Sequence, residues 1–316
     1  MNKRKLGQSE LETLPLALGG NVFGWTADEQ TSFAILDAFV GAGFSLVDTA
    51  DVYSVWAPGH AGGESETVIG NWLKRSGRRQ DLLIATKVGM EMSSDNKGLS
   101  RLHILRSVED SLRRLQTDYI DLYQSHIDDD KTPLEETLET YARLIEQGKV
   151  RAIGASNYKA ERFSEALRVS EEQGCPAYQT LQPLYNLYDR ADYEASLEPL
   201  CQEREIGVIT YFSLAAGFLT GKYRSEDDLT KSPRGRRVKQ YLNERGFRIL
   251  QALDQTASQL GSTPARIALA WLISRPSITA PIASATSLQQ LNDLIEATRL
   301  ELDAESIELL NAASGP

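Results

Sequence analysis

Four polar residues stand at the ends of short apolar runs in this chain. Asp48 closes Ser45-Leu-Val-Asp48, Tyr53 follows five residues later, Lys87 closes Leu82-Leu-Ile-Ala-Thr-Lys87, and His126 follows Asp121-Leu-Tyr-Gln-Ser125. Singly, each has a plain structural reading. An Asp after a strand caps a helix, a Lys there is solvated, a loop Tyr packs, and a lone His satisfies hydrogen bonds. Together they form a working set for carbonyl reduction, because hydride addition creates an oxyanion that must receive a proton. A free phenol, with a pKa of about 10, exchanges its proton poorly near neutrality, and a nearby cation lowers that value. Lys87 is the cation of the set, and Asp48 is the acid placed to neutralise it. His126, beside Tyr53, would hydrogen-bond the substrate oxygen, orient the carbonyl and assist proton movement. The hydride itself would come from a cofactor.

These four need a scaffold that brings strand ends together. Runs rich in Val, Ile, Leu and Tyr occur at Leu16–Gly19, Ser45–Asp48, Leu82–Thr86, Tyr119–Gln124, Val150–Gly154, Ala177–Leu181, Gly207–Thr210 and Ile278–Ile282. Amphipathic helix patterns lie between them, at Asp28–Val40, Glu64–Lys74, Leu102–Leu115, Pro133–Glu146, Ala160–Glu171, Tyr193–Glu203 and Leu288–Ala297. The alternation predicts an α/β fold, a (β/α)8 TIM barrel read as one domain over 1–316, with reactive groups at the carboxyl ends of the strands. Asp28, Ser100 and Thr132 stand where helix N-caps belong, Pro133 at a first helical position, and Gly41 and Gly148 after helix ends. Arg4–Leu6 and Glu12–Leu14 predict an N-terminal β-hairpin that plugs the barrel bottom. The helix patterns from Glu244 and over Thr263–Ile273 are additions to the eightfold plan. Gly221–Lys239, rich in Gly, Pro and charge, is longer than an ordinary βα loop and predicts a mobile cover for a cofactor.

Hydrophobic residues make up 41% and charged residues 25% of the 316, enough for a large core and too apolar for disorder. The net charge of −10 argues against nucleic acid as a partner. No apolar run has secretory or membrane length, so the expectation is a cytoplasmic protein without a membrane partner. Cys175 and Cys201 lack the spacing of a metal or redox pair and read as reduced, structural thiols, and the three histidines do not cluster as metal ligands. No metal is expected, and oligomeric state is not legible.

Val47-Asp-Thr-Ala-Asp-Val-Tyr53, Ala85-Thr-Lys-Val-Gly89 and Asp121-Leu-Tyr-Gln-Ser-His126 resemble, in order and spacing, the three catalytic motifs of the aldo-keto reductases. The resemblance runs over nearly the whole chain. It implies that Tyr53 is the general acid in reduction and the general base in oxidation. No GxGxxG follows the first strand, so a Rossmann cradle is not expected. The resemblance instead assigns Ser156, Asn157 and Gln182 to the nicotinamide amide and Tyr211 to the face of its ring. Ser213, Leu214, Gly217 and Leu219 fall to the pyrophosphate, mostly through backbone groups. Ser284, Thr286 and Gln290 stand where the family grips the adenosine 2′-phosphate, but the usual Lys or Arg is missing, and Leu294 replaces an Asn that commonly meets adenine. NADP(H) is therefore the family expectation, and NAD(H) stays open.

Phe23, Trp25 and Trp56 are candidates for an apolar substrate wall, Met90 and Met92 for its rim, and His60 sits in a flexible Pro-Gly-His-Ala-Gly-Gly setting where solvation is expected. The expected substrate is a small carbonyl compound or alcohol. Two other readings stay open: a nicotinamide-occupied sensor or regulatory subunit with little turnover, and a phosphate-binding barrel in which Lys87 forms a Schiff base.

Overall fold

Each apolar run needs only to cross the wall of a barrel, and the strands are correspondingly short. The computed structural model describes residues 1–232 and 235–315. Strands β1 (Arg4–Lys5) and β2 (Glu12–Thr13) pair antiparallel. Strands β3 (Ala17–Gly19), β4 (Leu46–Asp48), β5 (Leu83–Val88), β6 (Ile120–Ser125), β7 (Val150–Ser156), β8 (Thr180–Gln182), β9 (Gly207–Thr210) and β10 (Ala280–Ala283) are all parallel, and β10 pairs with both β9 and β3 to close the ring. Helices α1 (Glu29–Gly41), α2 (Glu64–Ser76), α3 (Arg101–Leu115), α4 (Leu134–Glu146), α5 (Ala160–Gln173) and α6 (Glu198–Glu203) follow the first six barrel strands. A single turn α7 (Gly235–Val238), α8 (Glu244–Gln259) and α9 (Pro264–Ser274) follow β9, and α10 (Leu288–Ala297) and α11 (Ala304–Ser314) complete the chain. The fold is a (β/α)8 barrel with an N-terminal hairpin and extra helices.

The period of two along each strand decides what enters the barrel. Leu46, Ala85, Leu122 and Ala152 pack together inside, with Ala17, Ile209, Ala280 and Ile282. Leu6 and Leu11 of the hairpin join this cluster, at 0% and 3% exposure, so the hairpin is the predicted plug. Burying each leucine contributes roughly 1.5–3 kcal/mol. Gly7 lets the hairpin approach, because a Cβ there would lie 2.1 Å from the Gln179 carbonyl oxygen and its φ of +64° suits glycine. Two residues further along the same strands stand Asp48, Lys87, Gln124 and Gly154. One apolar layer therefore carries a polar layer on the carboxyl side, and the register fixes it: Asp48 lies opposite Ala85, Lys87 opposite Gln124, and Ser156 opposite Gln182.

Several local expectations shift. Asp28 caps α1 by accepting the Thr31 N–H at 2.8 Å. Ser100 occupies the cap position of α3 without a side-chain bond. Thr132 is not a cap: its hydroxyl donates to Asp129, and Pro133 is the cap residue before α4. Gly41 is the last residue of α1 rather than its stop, and the turn is made at Gly43, with φ +88°. Gly148 does follow α4, at φ +71°. The helix pattern at Tyr193 begins as a wider π-type turn over Tyr193–Leu197, because Pro199 has no N–H to return to the preceding turn. Within Gly221–Lys239, Ser225 and Asp228 form a capping box on a tight turn over Glu226–Lys231, and Arg224 is fastened to Asp254 of α8 by two 2.8 Å bonds. Pro233 and Arg234 of that segment lie outside the described residues.

Candidate active site

Asp48, Tyr53 and Lys87 meet at the mouth above the plug. The Lys87 Nζ donates at 2.7 Å to Asp48 Oδ2, at 2.7 Å to the Thr49 carbonyl and at 3.3 Å to the Tyr53 hydroxyl. Lys87 is fully buried and Asp48 nearly so, at 2% exposure. Such an amine is costly without a counter-charge. Burial works against its proton, but Asp48 and Tyr53 outweigh burial and raise the pKa above the ordinary lysine value, so Lys87 is a cation. Asp48 is held from its other side by the Gln182 side-chain amide, Nε2 to Oδ1, at 2.8 Å.

Tyr53 differs from the expectation of a phenol made more acidic. Burial raises its pKa, Lys87 pulls it down by less, and the balance lies above the ordinary tyrosine value. The cation limits the cost of a phenolate rather than creating one. His126 follows β6 with its N–H on the Val88 carbonyl, which sets its ring edge-on to Tyr53 with centroids 5.8 Å apart. Burial and then Lys87 hold the imidazole well below its usual pKa, so it is neutral, and its Nδ1 is buried without a partner. A neutral ring offers one donor and one acceptor for hydrogen bonds.

The loop bearing Tyr53 is fastened by a residue the sequence reading passed over. The Glu64 carboxylate accepts the backbone N–H groups of Ser54, Ala61 and Gly62 at 2.8–3.3 Å. Burial would raise its pKa, but those donors and His60 outweigh it and hold Glu64 below the ordinary value. His60 is not merely solvated: its Nδ1 lies 3.0 Å from the Ser54 hydroxyl. Trp56 packs edge-on against Tyr53 at 5.6 Å and against Trp25 at 5.7 Å, and remains 43% exposed. Phe23 does not belong to this wall. Its ring is fully buried in the core between strands and helices, because the turn bonding its N–H to the Gly20 carbonyl directs it inward. Met92 accepts from Asn96 and stays half-buried, as does Met90.

Ser156, Asn157, Gln182 and Tyr211 form one cluster. The Ser156 hydroxyl donates to the Gln182 carbonyl at 2.9 Å. The Asn157 amide donates to Ser156 at 3.1 Å and to the His126 carbonyl at 2.9 Å, and it accepts the Tyr211 hydroxyl at 2.8 Å. Asn157 adopts a left-handed φ of +58°, which Asn tolerates better than most residues. The turn after Tyr211 is only partly as expected. Ser213 donates to the Thr210 carbonyl, while the N–H groups of Gly217 and Leu219 both close on the Leu214 carbonyl, and the Leu219 side chain lies in the core. These two N–H groups are therefore engaged within the chain. At the end of β10, the Ser284 hydroxyl donates to Asn21 Oδ1 at 2.6 Å, and the side-chain Oε1 of Gln290 accepts the N–H and hydroxyl of Thr286. Leu294 is buried. Arg266, the basic residue of α9, is paired with Asp293. Asn21 escaped the sequence reading, although it follows Gly19-Gly20 at a strand end.

Burial pushes the Cys201 thiol up to about 12, consistent with an inert structural residue, and no group of metal-ligating side chains occurs among the described residues. No helix among them is long and apolar enough to cross a membrane.

Comparison with known proteins agrees with this geometry. The profile of the Aldo/keto reductase family matches residues 15–314. The chain is 34% identical over 313 residues to the uncharacterized oxidoreductase YrpG of Bacillus subtilis (strain 168), covering 97% of this chain and 94% of that protein. It is 35% identical over 306 residues to the aldo-keto reductase YhdN of the same organism, covering 93% and 86%. It is also 32% identical over 305 residues to a probable voltage-gated potassium channel subunit beta of Oryza sativa subsp. japonica, covering 94% and 91%. With a barrel of this topology and a match over almost its full length, the chain belongs to the aldo/keto reductase family.

Proposed function

We propose that this protein is an NAD(P)(H)-dependent oxidoreductase that interconverts an aldehyde or ketone and its alcohol, with Asp48, Tyr53, Lys87 and His126 as its catalytic residues. The observation that carries the reading is the single Lys87 amine bonded to both the Asp48 carboxylate and the Tyr53 hydroxyl. A bound reduced nicotinamide supplies hydride to the carbonyl carbon. Tyr53 delivers the proton to the carbonyl oxygen, and Lys87 stabilises the phenolate left behind. Asp48 keeps Lys87 charged and in place. Neutral His126 orients the carbonyl oxygen through a hydrogen bond and does not supply the proton. In the reverse direction Tyr53 accepts the alcohol proton.

The donor set fits a nicotinamide. Ser156, Asn157 and Gln182 offer amide and hydroxyl groups beside Tyr211, and Gln124 Nε2 is a buried donor without a partner in the same polar layer. Ser213, Leu214, Gly217 and Leu219 would surround the pyrophosphate, and Ser284, Thr286 and Gln290 the adenosine end. Family habit makes NADP(H) the preferred cofactor. With hydroxyls and an amide in place of a guanidinium, the site discriminates weakly, and NAD(H) is admitted. Trp25 and Trp56 wall the substrate side, which suits an apolar or aromatic carbonyl compound. Carbonyl reduction is the physiological direction if NADPH is the cofactor.

The test is titration of purified protein with NADPH and NADH by intrinsic fluorescence, followed by turnover of an aldehyde, ketone and quinone panel. Binding with turnover supports the reading. The relatives named as channel subunits motivate one alternative, a nicotinamide sensor, and binding with no turnover of any panel member would select it.

A further inference from the structure

A second buried acid lies beside the Asp48–Lys87 pair, and the reaction proposed above does not use it. Asp51 sits in the turn between Asp48 and Tyr53, 3% exposed, with its Oδ1 lacking any hydrogen-bond partner. Its backbone N–H donates to the Lys87 carbonyl at 3.2 Å, which holds it against β5. Its charge is coupled to those of Glu66 of α2, Arg114 of α3 and Lys87 of β5 and acts on the phenols of Tyr53, of Tyr123 in β6 and of Tyr141 in α4, while the Val52 N–H on its own segment donates to it.

One guanidinium serves two acids here. Arg114 is bonded to Glu66, Nε to Oε2 at 2.7 Å, and Glu66, fully buried, also accepts the Thr86 hydroxyl at 2.5 Å. Asp51 is left with the weaker share of that charge. Two carboxylates cannot both ionise cheaply beside one cation in a dry setting. Burial first, and Glu66 second, raise Asp51 to about 8.

We propose that Asp51 is a positioning residue that acts through Tyr53, leaving the field of Lys87 to the phenol while protonated and, once ionised, adding a negative charge that holds the Tyr53 proton on. This rests on the role of Tyr53 proposed above. Reduction uses protonated Tyr53, so ionised Asp51 extends reduction to higher pH. Oxidation uses the phenolate, so the same charge opposes it.

Asp51→Asn is nearly isosteric and uncharged at every pH, and kcat/KM is measured from about pH 6.5 to about pH 9.5 in both directions. NADPH with a panel aldehyde and NADP+ with its alcohol serve as probes. Tyr53 holds its proton above the ordinary tyrosine value, so over this range the variant-to-wild-type ratio in reduction changes little. In oxidation, which draws on the small phenolate fraction, the ratio rises about threefold from the low to the high end of the range, the effect of half a unit in the Tyr53 ionisation. An oxidation ratio that stays constant, however low, marks only structural damage and overturns the proposal.

Urea unfolding gives a readout independent of turnover. The folded pKa of Asp51 lies above its unfolded value, so its contribution is present at low pH and declines as pH rises through about 8. Wild type shows this decline and Asp51→Asn lacks it, and a decline shared by both overturns the proposal. A protein that turns over no carbonyl at any pH overturns the reductase reading and the coupling together, whereas turnover with a constant oxidation ratio overturns Asp51 alone.

Discussion

Replacing Asp48 with Asn tests how dry the site is. The change preserves shape but removes the charge that faces Lys87 Nζ at 2.7 Å, and it replaces one of two acceptor oxygens by an amide NH2, so that either Lys87 or Gln182 meets a donor. Lys87 is fully buried and is left with neutral partners alone, the Thr49 carbonyl and the Tyr53 phenol among them. Removing one partner of a buried pair costs about 3–5 kcal/mol. For a chain of this length, with unfolding entropy near 2.1 cal/mol/K per residue, that lowers Tm by about 5–8 °C. The pH dependence carries the sign. In wild type Lys87 is raised above the ordinary lysine value, so the stability it contributes persists until the pH exceeds that raised value. In Asp48→Asn the largest raising influence is gone and burial remains, so the folded pKa drops below the unfolded one and the variant recovers relative stability as pH rises. Urea unfolding at about pH 7 and about pH 9.5 therefore shows a gap of several kcal/mol that narrows at the higher pH. A gap under about 1 kcal/mol with no pH dependence would mean that the pair is solvated, and would refute the argument.

Two further outcomes follow from the packing. Leu11→Ala in the plug should cost about 2–5 kcal/mol in urea unfolding while cofactor affinity changes little, because Leu11 touches the barrel floor and not the mouth; a loss below about 0.5 kcal/mol would show that the hairpin is not part of the core. Trp56→Ala should lower kcat/KM for an aromatic aldehyde by about threefold to tenfold, mainly through KM, and leave a short aliphatic aldehyde nearly unaffected; equal effects on both would remove Trp56 from the substrate wall.

The barrel was legible because alternation of apolar runs with amphipathic stretches is a covalent property of the chain. The depth of the polar layer was legible too, since Asp48, Lys87 and Gln124 stand two residues beyond Leu46, Ala85 and Leu122. What escaped depends on contacts distant in sequence or on a balance between effects. Thr132 has the right type for a cap, but Asp129 takes its hydroxyl. Phe23 reads as a mouth aromatic until the backbone turn that buries it is known. Glu64 and Asp51 look like ordinary acids in a polar loop, and only the fold sets one on three backbone N–H groups and the other in a dry pocket. The direction of the Tyr53 shift could not be read from the presence of Lys87, because burial acts oppositely and more strongly.

The most direct measurement is hydride transfer by Tyr53→Phe, which deletes one oxygen and leaves the ring against Trp56 and His126. With NADPH and a carbonyl substrate that wild type reduces, kcat should fall about 10²–10⁴-fold while cofactor affinity stays within a few-fold. Turnover within tenfold of wild type, with the fold intact, would contradict the claim that the phenol beside Lys87 supplies the proton.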